Sequence, residues 1–153
     1  DALGGEDVRA FLRRRLFEPI GMRRAEPRVD DAGTFVGSSY VYAPAREVAK
    51  FGLLYLRGGM WDGKRILPAG WVDHARRERS WDPVEQVGYG AHWWTTRDDL
   101  GTFRAAGYEG QAIVVCPALD LLVVRFGKTD ASHTPDLAAW RSRMVAAYGA
   151  AAG

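Results

Sequence analysis

The chain has one cysteine, three histidines and no asparagine among its 153 residues. A single cysteine, Cys116, excludes an intrachain disulfide and a cysteine-rich zinc site. It follows an apolar strand pattern, which favours a buried structural thiol. The histidines are far apart in the sequence, and none has the spacing of a metal-binding pair. The sequence therefore predicts neither a disulfide framework nor a bound metal.

Strong net charge and long apolar segments are also absent. The net charge is +2, and the basic residues are scattered apart from short runs such as Arg13-Arg14-Arg15. A near-neutral chain without a basic groove is not expected to bind nucleic acid. No apolar stretch reaches the length of a membrane span, so we expect no membrane-crossing segment. The cellular location stays open, because no targeting signal is recognisable.

Helical periodicity dominates the first half of the chain. Apolar residues predict a helix over residues 6–17 that ends before Pro19, and a second helix that begins at Pro44 and ends at Gly58-Gly59. Beyond it, the sequence predicts a small hairpin over residues 60–67 and a short helix over residues 69–77. The residues predicted to face inward from the two later helices are Val48, Phe51, Leu54, Tyr55, Trp71 and Val72.

Strand patterns dominate the last third. Residues 87–96 predict one aromatic strand, residues 103–115 predict a second strand broken at Gly107 and Gly110, and a third strand follows Asp120. A closing helix over residues 135–148 is predicted to turn Leu137, Trp140, Met144 and Val145 inward. Helices first, then three sequential antiparallel strands, then a C-terminal helix predict an α+β fold.

The predicted sheet is thin for a complete domain. Three strands covered by one helix would be more stable as the edge of a larger sheet. The chain also opens without a methionine, close to the predicted start of a helix. We therefore expect a fragment that pairs with a missing N-terminal half.

Two groups of residues could carry chemistry, and each has a structural alternative. Ser38, Ser39 and Tyr40 precede the long helix, where they would serve either as cap and turn residues or as the lining of a cleft. Trp93 and Trp94 would either pack in the core or form a cleft wall.

Residues 126–130, "FGKTD", are suggestive of a phosphate loop but do not complete one. That motif requires a glycine where Leu122 stands, so nucleotide binding is not expected.

Four segments together resemble a known family. They are "LFEPIGM", "GSSYVYAPAREVAKFGLLYLRGGMWDGKRILPAGWV", "YGAHWWTT" and "AAGYEGQAIVVCPALDLLVVRFG". In this order they are similar to the C-terminal half of the serine β-lactamase-like family, which includes class C β-lactamases, penicillin-binding proteins, esterases and hydrolases of 6-aminohexanoate oligomers. The resemblance extends from about Val8 to Trp140. It implies the C-terminal portion of a β-lactamase/transpeptidase-like fold, with residues 1–153 as a C-terminal fragment of one serine hydrolase domain.

The family's catalytic serine and its bases have no counterpart in this chain. Family members attack an ester or amide with the serine of a Ser-x-x-Lys motif, assisted by the lysine and a tyrosine. None of the serines here has a lysine three positions on, and the chain has no asparagine for a Tyr-x-Asn motif. Both motifs lie upstream in the family. The family's third motif, often Lys-Thr-Gly, is replaced by Ala105-Ala106-Gly107, so its side-chain cation is missing.

The resemblance carries over a short set of site residues. It implies that Gly107 is the motif glycine and that the backbone N–H of Tyr108 donates to the oxyanion hole. Gly110 would allow the strand to bend. Further residues implied, as substrate contacts or edges of the pocket, are Glu109, Gln111, Trp93 or Trp94, Ser38, Ser39 and Tyr40.

The function that the resemblance implies is hydrolysis of a small-molecule ester or amide through an acyl-serine intermediate, without metal or cofactor. The missing cation argues against a β-lactamase that binds its substrate's carboxylate there, and favours an esterase or amidase. The chain alone is expected to be inactive. The alternative is a catalytically inactive relic that acts as a binding or interaction module.

Overall fold

The computed structural model describes residues 5–152, so that the opening residues 1–4 and residue 153 lie outside the described part. The helices are α1 (Val8–Leu12), α2 (Ala45–Leu56), α3 (Trp71–Arg76) and α4 (Thr134–Ala152). The strands are β1 (Glu26–Pro27), β2 (Val41–Tyr42), β3 (Met60–Trp61), β4 (Lys64–Arg65), β5 (Ser80–Asp82), β6 (Val87–Tyr89), β7 (Trp94–Thr95), β8 (Phe103–Ala106), β9 (Ala112–Cys116) and β10 (Leu121–Arg125). None of the described helices is long and apolar enough to cross a membrane.

The first predicted helix is confirmed, and it changes form halfway. The Asp7 side chain accepts a hydrogen bond from the Arg9 N–H and caps α1, which continues into a π-helical turn over Arg13–Phe17. Phe17 at the end of this turn, and Ile20 just after it, pack in a core cluster with Leu54 of α2.

The long helix α2 begins at Ala45, because Pro44 occupies the capping position rather than the first helical one. Leu54 and Tyr55 are buried as predicted. Gly52 is buried too: a Cβ there would lie 2.5 Å from Leu122 Cδ1. This glycine therefore lets the helix backbone approach β10 closely.

A six-stranded antiparallel sheet, in the order β10-β9-β8-β7-β6-β5, replaces the three strands expected. Residues 87–96 form two paired strands, because the chain turns where His92 adopts a left-handed φ of 68°. Residues 103–115 are not one broken strand either. Phe103 pairs with Val115, so that β8 and β9 form a hairpin and the two glycines lie in its turn. The α+β order of helices, antiparallel strands and closing helix is otherwise as predicted.

Helices cover both faces of this sheet. Phe103, Ile113 and Val115 pack with α2 residues on one face. On the other face, Val114 and Cys116 belong to a cluster with Val145 of α4. Alternation along β9 distributes its side chains between the two layers, and this explains why all its residues are buried.

Two predicted core residues are exposed. Trp71 is 41% exposed, because α3 buries Ala75 instead, and the Trp71 indole N–H donates to Tyr55 Oη at 3.2 Å. Met144 is 45% exposed, because it lies on the solvent side of α4, whereas Leu137 and Val145 are half-buried on the other side.

Candidate functional site

The β8–β9 turn is the centre of the candidate site. Strand pairing closes on a hydrogen bond from Gly107 N to Gln111 O at 2.7 Å, and Gln111 N donates to Tyr108 O at 3.3 Å. Between them, Glu109 and Gly110 have left-handed φ values of 56° and 80°. These two residues reverse the chain over Tyr108–Gly110. Glycine adopts this conformation without strain, whereas a glutamate does not.

The Tyr108 backbone has a donor available. Within residues 5–152, no hydrogen bond engages the Tyr108 N–H. The Tyr108 side chain is 82% exposed, so it does not shield the amide by packing into the core. A backbone N–H without a hydrogen-bond partner is the kind of group that can stabilise an oxyanion.

The turn is held from outside by the segment that follows β10. Arg125 Nη1 donates to Gly110 O at 3.0 Å, and Thr129 N donates to Glu109 O at 3.1 Å. Both left-handed residues thus have their carbonyls fixed. Lys128 forms a more exposed ion pair with the Glu109 carboxylate at 3.6 Å.

Gly110 has no room for a side chain. A Cβ at this position would lie 2.4 Å from Leu137 Cδ1 and 3.2 Å from Arg125 Nη1. Gly107 is less confined: its nearest neighbour would be Gln111 Cβ at 3.2 Å. Gly110 is therefore required for contact with α4 as well as for its φ.

The residues before Gly107 contribute no charge to the site. Ala105 packs partly against the core and Ala106 is exposed, with Ala106 paired to Ala112 across the hairpin. The nearest charge along β8 is Arg104, which faces the α4 side with Val114. Burial, and secondarily the charge of Arg141, lower the pKa of Arg104.

The two tryptophans go to different places. Trp93 is 3% exposed and packs among aromatic rings, with centroids 4.6 Å from Tyr55 and 5.0 Å from Phe103. Trp94 is half-buried in β7 and packs edge-on against Tyr89. Trp93 is thus part of the core, whereas Trp94 keeps part of its surface exposed.

Ser38, Ser39 and Tyr40 lie in an exposed loop between β1 and β2. Ser39 N donates to Val36 O at 3.0 Å, which makes the stretch a turn. Tyr40 has a φ of 62°, an uncommon value for a bulky residue. No hydrogen bond or ion pair in the described part of the chain joins this loop to the β8–β9 turn.

The structure therefore brings together Gly107, Tyr108, Glu109, Gly110 and Gln111 in one turn. The roles of the serine loop and of Trp93 in the site stay predictions. An open groove of 570 Å³ lies between α1 and β1, but it is lined by none of these residues. Residues 5–152 also contain no cluster of three His, Cys, Asp or Glu side chains suited to a metal.

Sequence reasoning missed Arg125 and Thr129, which fix the turn. The signal was present: Arg125 is the one charged residue of the strand "LLVVR", and it ends that strand. The segment after it, residues 126–130, has the pattern of an incomplete phosphate loop and no other recognisable motif. The pairing of Thr129 N with the Glu109 carbonyl depends on the path of the backbone, which the sequence pattern does not encode.

Comparison with known proteins gives consistent results. The curated 6-aminohexanoate-dimer hydrolase of Paenarthrobacter ureafaciens is 28% identical over 127 residues, which cover 77% of this chain and 32% of that protein. A solved structure from Bacillus anthracis, described as a candidate 6-aminohexanoate-dimer hydrolase, superposes with a TM-score of 0.74 at 24% identity, over 89% of this chain and 37% of the other. The chain thus spans about a third of the length of each.

The superposition confirms the fold class predicted from the sequence. The model of the Beta-lactamase family matches residues 2–148. Because this match covers nearly the whole chain, the chain belongs to the Beta-lactamase family.

Proposed function

We propose that this chain is the C-terminal part of a serine hydrolase domain that cleaves a small-molecule ester or amide through an acyl-serine intermediate. The observation that carries the proposal is the unengaged N–H of Tyr108, held in a fixed turn in a chain of this family. Tyr108 would supply one oxyanion donor, and the nucleophile's own N–H would supply the other.

The reaction assigns a specific task to each part. The upstream part would provide the serine and the lysine and tyrosine that move its proton. The β8–β9 turn would stabilise the negative charge that develops on the carbonyl oxygen as the serine attacks. Gly107 lets the substrate approach the strand closely, while Glu109 and Gln111 edge the pocket. No step requires a metal or a cofactor.

The surface that the upstream part would cover is identifiable. Strand β10 is the edge of the sheet, and no described strand pairs with its outer side. Exposed apolar residues lie beside it and along α4, with Phe126 at 44%, Met144 at 45% and Tyr148 at 46%. Native proteins seldom leave such an edge uncovered. We therefore assign this surface to the N-terminal half of the same domain.

Charge on the α4 side fits the same arrangement. Burial and the neighbouring Arg141 lower the pKa of Arg104, and burial and the neighbouring Arg125 lower the pKa of Arg141. Neither Arg104 nor Arg141 has a carboxylate within 4.0 Å among the described residues. An upstream part that brings carboxylates to this face would complete the pairing.

The substrate is expected to lack an essential carboxylate at the third-motif position. Ala105 and Ala106 offer no cation there, so a neutral ester or amide loses nothing by binding beside them. The name of the Paenarthrobacter ureafaciens relative describes hydrolysis of a 6-aminohexanoate dimer. This relative favours an esterase or amidase over a β-lactamase, without specifying the substrate.

The test compares the isolated chain with the whole polypeptide. Residues 1–153 alone should turn over neither p-nitrophenyl esters nor nitrocefin, and a fluorophosphonate probe should not label them. The whole polypeptide should hydrolyse the esters and take up the probe, and replacement of the Ser-x-x-Lys serine by alanine should abolish both. Serine-dependent turnover by the isolated chain would contradict the proposal.

The same exposed surface supports one alternative, a relic that binds a partner through β10 and α4. The coding sequence upstream of Asp1 distinguishes the two. An in-frame Ser-x-x-Lys motif and tyrosine motif favour the hydrolase, whereas a start codon immediately upstream favours the binding module.

A further inference from the structure

Hydrogen bonds within the β8–β9 turn restrain only part of its backbone. The turn contains a left-handed glutamate, Glu109, a conformation that persists only where the surroundings impose it. Its own hydrogen bonds are that from Gly107 N to Gln111 O at 2.7 Å, which closes the base, and the longer one from Gln111 N to Tyr108 O at 3.3 Å. Neither of them holds the carbonyls of Glu109 and Gly110. Gly107 and Tyr108 are exposed, whereas Glu109, Gly110 and Gln111 are half-buried. The apolar neighbour of the turn at Gly110 is Leu137 of α4.

The side chain of Arg125 adds a restraint on the turn backbone from outside the turn. Its guanidinium donates to the carbonyl of Gly110 at 3.0 Å, to the carbonyl of Gly127 at 3.3 Å and to Thr129 Oγ1 at 2.5 Å. One planar group thus ties the turn to the segment after β10. The same segment donates a backbone hydrogen bond to the turn, from Thr129 N to Glu109 O at 3.1 Å.

We propose that Arg125 is a positioning residue, which fixes the β8–β9 turn and thereby aims the Tyr108 N–H at the reacting carbonyl. This inference rests on the proposed hydrolase function. Arg125 itself touches neither substrate nor nucleophile in the proposed reaction. It acts through the Gly110 peptide, one residue beyond the left-handed Glu109.

The geometry explains why an arginine is needed. A guanidinium has five N–H donors in a rigid plane, so that it can serve three acceptors at once. A lysine ammonium at the end of a flexible stem could reach one of these acceptors but could not hold all three in one plane. Lys128 makes this contrast within the same segment: its side chain is 85% exposed, and its ion pair with Glu109 does not restrain the backbone.

The experiment uses the whole polypeptide with the variants Arg125→Gln, Arg125→Lys and, as matched control, Arg76→Gln. Arg76 is also an arginine bound at short range, to Asp73 at 3.0 Å on its own helix, and it makes no contact with the turn. Two measurements are made on each: steady-state ester hydrolysis, and hydrogen–deuterium exchange of the peptide that covers residues 103–115.

Arg125→Gln should lower kcat roughly 10- to 100-fold with KM nearly unchanged, because a displaced oxyanion donor affects the transition state more than substrate binding. The same variant should exchange faster at residues 103–115. Arg125→Lys should have a kcat and an exchange rate between those of Arg125→Gln and the unaltered protein. Arg76→Gln should match the unaltered protein in both measurements. If Arg125→Gln does not fold, Arg125→Lys, which keeps the charge, carries the test.

The outcomes separate the two proposals. Unchanged kcat in Arg125→Gln, or unchanged exchange at residues 103–115, overturns the positioning role and leaves the hydrolase function intact. A rise in KM without a fall in kcat also overturns it, since the turn would then serve substrate binding. Absence of ester or amide hydrolysis in the unaltered whole polypeptide overturns the function itself, and the positioning role with it.

Discussion

Replacing Gly110 with alanine tests whether the β8–β9 turn is fixed against α4. Two separate costs are expected. The first is conformational, because a residue with a Cβ at a φ of 80° is strained by about 1–2 kcal/mol. The second is steric, because the new Cβ would lie 2.4 Å from Leu137 Cδ1. Overpacking of this kind costs about 1–3 kcal/mol, and the flexible end of Leu137 favours the lower half of that range.

Gly33 provides a matched control. Its φ is 79°, nearly identical to that of Gly110, and a Cβ there would meet nothing within 4 Å. Gly33→Ala should therefore cost only the conformational part, about 1–2 kcal/mol, and Gly110→Ala about 2–4 kcal/mol. The difference between the two variants isolates the contact with α4.

The measurement is urea unfolding of the whole polypeptide followed by tryptophan fluorescence. A double variant, Gly110→Ala with Leu137→Ala, should recover about 1 kcal/mol of the steric cost as coupling between the two sites. If Gly110→Ala and Gly33→Ala lower the free energy of unfolding by amounts that agree within about 0.5 kcal/mol, the turn does not pack against Leu137 as described. Activity should fall with Gly110→Ala and not with Gly33→Ala.

Three further predictions concern the core. Gly90→Ala should destabilise by about 2–4 kcal/mol in the same unfolding measurement, because its Cβ would lie 2.3 Å from the backbone oxygen of Ala75, which cannot turn aside. Cys116 should resist Ellman's reagent at pH 8 until the protein is unfolded, since it is fully buried and burial raises the pKa of its thiol; rapid labelling of the folded protein would refute this. Glu47→Ala should cost about 1.5–3 kcal/mol by calorimetry, because the buried carboxylate accepts the Arg24 backbone N–H at 2.8 Å. Arg24→Ala should cost less than about 0.5 kcal/mol, since its side chain is 72% exposed and keeps that backbone bond.

Local patterns predicted most of the elements. The apolar stripe of α2, the Gly58-Gly59 stop and the Asp62-Gly63 hairpin depend on neighbours in sequence, and each is where it was expected. Errors arose where long-range packing decides. Trp71 was predicted to be buried and is 41% exposed, because α3 presents Ala75 to the core.

The sequence grouped candidate site residues but did not predict the shape of the backbone that carries them. The order of motifs pointed to Gly107, Tyr108 and Gly110, and these residues do share one turn. Trp93 and Trp94 could not be told apart, because adjacent residues point to opposite sides of a strand and the sequence does not say which side is the core.

By itself, the sequence determined the family, the α+β class and the absence of a disulfide within residues 1–153, since these follow from motif order, periodicity and cysteine count. Only the tertiary structure decided that the two glycines of "AAGYEGQ" lie in the turn between two paired strands. A glycine pair permits either a bulge or a reversal. Two interactions select the reversal: the pairing of Phe103 with Val115, and the hydrogen bond from Arg125 to the Gly110 carbonyl. Both depend on residues distant in the chain.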